Sequence, residues 1–162
     1  RSSASTIANS NVMSSTGYGP TARLARVSAT TAIFLYFQYL ASGVQALVGV
    51  AYSTANDKIM VETVIGAPGM VIIGSGSLRR ALNGRFYWPI ALNQTLANLS
   101  VLPFYFDETA NLFNVGAITR VGSTTTGFVG CDLVAGSNRL LAAWRDATNS
   151  NNGTAVVMEL AA

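Results

Sequence analysis

The chain has 162 residues, of which 10% are charged and 50% apolar, against roughly 25% charged in ordinary soluble domains. A surface this poor in charge must be covered by Ser, Thr, Asn and Gly, or be buried in an assembly or a membrane. The net charge of +3 is scattered, with no more than two cations in succession, so the stripe that tracks phosphates is missing and no nucleic-acid partner is expected.

In chain order, residues 1–20 are Ser, Thr, Asn, Gly and Ala with little periodicity and read as a flexible arm. Residues 21–162 read as a single all-β domain, of a length that can enclose a core. Strand-like runs begin at Leu24–Ala29, Ile33–Tyr39, Val44–Tyr52 and Lys58–Ile65. Ala32–Ala51 is about long enough to cross a bilayer, yet Gln38, Ser42 and Gln45 interrupt it and its aromatic, β-branched start suits a strand. Membrane insertion is therefore not expected. Further runs follow at Met70–Ile73, Arg85–Ile90, Leu96–Leu102, Phe104–Phe106, Leu112–Val121, Gly127–Val134, Leu140–Trp144 and Thr154–Leu160. Gly, Pro, Asn and Asp mark the breaks; Asn83-Gly84 predicts a type I′ hairpin turn, and Ser77–Leu82 one short helical turn.

A phrase recurs along this series: a small-polar lead, an alternating apolar stretch, then an aromatic strand with a polar end. It stands at Thr21–Ser28 with Ile33–Gln38, again at Gln94–Ser100 with Pro103–Asp107, and in weaker form at Ser137–Trp144 with Thr154–Glu159. Apolar anchors recur about every 22 to 25 residues, which suits hairpin pairs. Repetitive antiparallel hairpins arranged as β-propeller-like blades are therefore the expected fold, with a β-sandwich or jelly roll as the alternative.

Catalytic residue types are scarce. With no His in the chain, triads built on His and the usual zinc sites cannot form. Gly74-Ser-Gly-Ser77 lacks the Lys-Ser/Thr ending of a phosphate loop. The lone Cys131 lies among apolar residues and reads as an inert thiol, with no disulfide partner. The expectation is a protein that is not an enzyme, with no cofactor.

Ile33-Phe-Leu-Tyr-Phe-Gln38, preceded by Leu24-Ala-Arg-Val-Ser28, resembles the repeat of the fungal and bacterial fucose-binding β-propeller lectins. That family carries an arginine in the aromatic strand where this chain has Phe34. The resemblance implies sugar sites in clefts between blades, with Tyr36, Tyr105, Trp144, Glu62 and Glu159 at places compatible with its aromatic and acidic contacts. Sugar chemistry points the same way: a pyranose packs its CH face on an aromatic ring, and its hydroxyls need fixed polar partners. Trp88, beside Pro89, and Trp144, beside Arg145 and Asp146, are the expected exposed platforms, with Arg145 a candidate sugar contact. Phe34, Tyr36, Phe104 and Phe106 alternate along strands as core residues do.

The expected function is glycan binding by a secreted or extracellular, homo-oligomeric, lectin-like protein. The competing reading is a self-assembling capsid, shell or fibre subunit, which low charge and many apolar strands also suit.

Overall fold

The computed structural model describes residues 22–39, 45–66, 72–94, 96–122, 125–134, 137–150 and 152–160. The expected arm at residues 1–20 lies outside the described residues. Among those described, the structure is all β, with thirteen strands in antiparallel sheets and no helix. Among the described residues, none of the sheets closes into a barrel. The chain divides into two compact units, Arg1–Met70 with Phe106–Asn114, and Val71–Tyr105 with Val115–Ala162.

The first unit is built on a meander of β1 (Arg23–Arg26), β2 (Thr31–Tyr39), β3 (Gln45–Ser53) and β4 (Lys58–Val64). Its β2–β3 ladder runs without a break from Thr31↔Ser53 to Tyr39↔Gln45. Residues of one parity, Ile33 and Leu35 on β2 with Leu47 and Ala51 on β3, are wholly buried on one face. On the other face Tyr36, Val48 and Val50 cluster, with Phe34 and Ile59 packed against them. The stretch that could have crossed a bilayer as a helix thus holds a pair of strands, and among the described residues no helix is long and apolar enough to span a membrane.

The second unit holds most of a sheet ordered β10 (Thr119–Gly122), β8 (Leu96–Asp107), β7 (Phe86–Gln94), β5 (Ile72–Ser75), with β6 (Arg79–Arg80) on β7 and β9 (Leu112–Val115) on β8. It also holds a three-stranded meander of β11 (Thr125–Leu133), β12 (Arg139–Asp146) and β13 (Asn152–Glu159). Period-2 patterning packs them together: Leu140, Ala142 and Trp144 alternate as the buried face of β12. Leu140 meets Tyr87 and Val101 of the neighbouring sheet. Ala142 and Trp144 meet Leu99.

Several local expectations need correction. Gly84 has a φ of 79° while Asn83 keeps the ordinary sign. A type I′ turn needs positive φ at both central residues. The bonds Gly84 N–H to Ala81 O and Ala81 N–H to Arg85 O instead make a type I turn closed by a left-handed glycine. Ser77–Leu82 holds strand β6, which pairs with Tyr87 and Phe86, where a helical turn was expected. Two expected strands on either side of Pro103 are one, β8. The Pro103 carbonyl accepts from Gly116 N–H at 2.8 Å on the side away from β7. Its missing N–H falls on that same side, so no bond to β7 is lost. Finally, Leu112–Val121 divides into β9 and β10.

Candidate functional site

The first unit carries an open groove of about 420 Å³ lined by Leu24, Ala25, Arg26, Ser28, Ala29, Thr31, Ala32 and Thr54. The turn between β1 and β2 shapes it. Val27 and Ser28 N–H groups both donate to Thr31 O, and Thr54 N–H donates to Thr30 O, which fastens the turn to the end of β3. Arg26 bonds back over the same turn, Nε to Ser28 O at 2.7 Å and Nη2 to Ala29 O at 3.5 Å. A guanidinium held this way is positioned in advance, so less side-chain freedom is lost per hydrogen bond it makes.

Glu108, from the turn after β8, supplies the acid. Ser28 Oγ donates to its Oε1 at 2.7 Å, and Thr31 Oγ1 donates to the same oxygen. The Ser28 hydroxyl also accepts from Thr30 N–H at 3.2 Å. The groove is thus lined by two oriented hydroxyls and a fixed guanidinium beside the apolar surfaces of Leu24 and Ala32, and the two hydroxyls hold the Glu108 carboxylate. Charged, directional groups next to an apolar strip are what a polyhydroxylated ligand needs. Glu108 and Arg26 were not among the expected site residues. The adjacent Asp107-Glu108 pair reads in sequence as a solvated turn, and the hydroxyls that meet Glu108 lie about 80 positions away in the chain.

The expected sugar contacts are dispersed. Tyr36 and Glu62 do come together on the outer face of the β1–β4 sheet, where Tyr36 O–H donates to Glu62 Oε1 at 2.5 Å. Burial of Tyr36, then this acceptor and its charge, raise the phenol well above its usual range. Tyr105 is 39% exposed, with Arg85 at 5.9 Å over its ring, a cation–π contact. Arg145 is exposed on β12, and Glu159 on β13 faces Arg139 at 3.6 Å.

The two expected platforms are core residues. Trp88 is 0% exposed and its Nε1–H donates to Gly76 O at 3.2 Å. Trp144 is 7% exposed, and a Cβ at Gly122 would lie 2.6 Å from its Cζ2. Neither offers a ring face to solvent. Both were expected outside because of their neighbours, Pro89 for Trp88 and Arg145-Asp146 for Trp144. In strands, adjacent residues point to opposite faces.

No cluster of His, Cys, Asp and Glu able to hold a metal occurs among the described residues. Together the sheets and the groove define the class: an antiparallel all-β protein with a largely apolar surface groove that carries a few fixed polar groups. No family model matches the chain, and no curated protein or solved structure matches it either.

Proposed function

We propose that the chain is a non-enzymatic, lectin-like protein that binds glycans, with the groove lined by Arg26, Ser28 and Thr31, and the Glu108 carboxylate bonded to those two hydroxyls, as its sugar site. The observation that carries this reading is an open, largely apolar groove lined by a pre-positioned guanidinium and by two hydroxyls that are themselves held by the Glu108 carboxylate. Blade-like repetition supports it too. Each of the three sheets is an antiparallel array drawn mainly from one stretch of chain, and each carries the same five-residue turn, at Ser53–Asp57, Asp107–Asn111 and Asp146–Ser150. A secreted or extracellular location accords with this role.

The test is a glycan array on the intact chain with free sugar as competitor. Competable binding to one sugar class is expected. Glu108→Gln, which removes a charged hydrogen-bond acceptor, should weaken it roughly ten- to hundred-fold without loss of fold by circular dichroism. A blank array, or binding indifferent to Glu108→Gln and Arg26→Ala, counts against the site.

One observation favours the second reading, a self-assembling subunit: Leu141 and Val157 pair side by side on an outer sheet face at 41% and 55% exposure. Large particles that form with or without sugar would support that reading.

A further inference from the structure

We propose that β13 is a self-pairing edge, through which two copies of the chain join into one continuous six-stranded antiparallel sheet. This is independent of the glycan-binding reading.

Sheet edges are open hydrogen-bonding templates, and proteins blunt them with short strands, charges, prolines or bulges. Among the described residues, every other edge strand is blunted in one of these ways. β1 has four residues with Arg23 and Arg26 at its ends. β4 carries Lys58 and Glu62 and pairs through a register shift. β5 is short and shifted. β10 carries Arg120 and a shift. β11 carries Asp132 and a shift. Strand β13 has no bulge or proline, and its one charge is its last residue. It runs eight residues in unbroken register with β12 from Asn152↔Asp146 to Glu159↔Arg139, and no charge or proline precedes Glu159.

The occupant follows from register and charge. Leu160 N–H donates inward to Asn138 O, so even-numbered residues face β12, and the backbone groups of Gly153, Ala155, Val157 and Glu159 point outward. In a two-fold antiparallel pairing centred on Val156, Ala155 stands opposite Val157 of the partner subunit, and Gly153 opposite Glu159 of the partner subunit. Arg145 lies across from Gly153 within the chain, is exposed and makes no ion pair among the described residues. Gly153 places no side chain between them, and a Cβ there would meet nothing within 4 Å. Arg145 and Glu159 of the partner subunit therefore face each other across a glycine, about 10 Å apart along the row, within reach of two long side chains. Shifting the pairing by two residues removes this match. The exposed pair of Leu141 and Val157 becomes part of one apolar strip shared by both copies.

The test is light scattering and sedimentation on the full chain at micromolar concentration. A dimer is expected. Val157→Lys, at an exposed position, should abolish it. Gly153→Leu, which fills the gap between the two charges at a position of ordinary φ, should raise the dimer dissociation constant roughly ten-fold, since each cross-strand term acts twice. A monomeric wild-type chain, or a dimer that survives both substitutions, overturns the proposal. A dimer broken by Val157→Lys but indifferent to Gly153→Leu overturns the register. If Val157→Lys does not fold, Gly153→Leu decides alone.

Discussion

At the residue scale, position in the pleat outweighs residue type. Trp88 and Trp144 have the size and polar handle of sugar platforms, yet both fall on inward parities of their strands. Trp88 also satisfies its indole N–H inside, on Gly76 O. Trp88→Ala should therefore cost about 3–5 kcal/mol in urea unfolding, where a platform would lose ligand binding and keep its stability. Cys131 shows the same effect of burial. Its thiol is pushed from 9.0 up to about 11 by desolvation, against the pull of Arg79 and with the help of Asp132. The raised value favours the neutral thiol in the folded chain. Its contribution to stability is thus complete below pH about 9 and is lost as pH rises through about 11. At pH 8 the folded chain should alkylate at roughly one hundredth of the rate of the unfolded chain, measured with iodoacetamide.

At the scale of elements, the strands were legible because aromatic and β-branched runs bounded by Gly, Asn and Asp specify them locally. The turns were less so. Ser53, Asp107 and Asp146 each open a turn whose fifth residue, Asp57, Asn111 or Ser150, has φ of 50–53°. Asp107 Oδ1 accepts from Thr109 and Ala110 N–H groups, both at 2.9 Å. Asp146 Oδ1 accepts from Thr148 N–H and Oγ1–H. Ser53 Oγ accepts from Asn56 N–H. This repeat escapes a reading by residue identity, because Ser and Asp do one job and three different residues do the other. Asp107→Ala should cost about 1 kcal/mol in chemical denaturation, and a change below about 0.3 kcal/mol would show the turn holding without it. Asp146 has its carboxyl held below the usual range, first by the Thr148 hydroxyl. Its contribution is present at neutral pH and fades as pH falls.

At the scale of the whole molecule, chemistry gathers where distant segments meet. Glu108 reaches Ser28 and Thr31 because the β8 turn and the β1–β2 turn belong to one compact unit. The proposed glycan site, and the loss of binding expected from Glu108→Gln, therefore rest on tertiary assembly. The dimer expected through β13 is likewise set by sheet order, which leaves that strand at an edge.

The sequence by itself determined the all-β class, nearly every strand and the scarcity of charge, because each depends on local propensity and on a period of two along the chain. Tertiary structure alone decided which aromatics are buried, that Tyr36 meets Glu62, that Glu108 joins two hydroxyls, and which edge stays open. Those outcomes turn on pairing register and sheet packing, and a one-residue slip would reverse every inward and outward assignment.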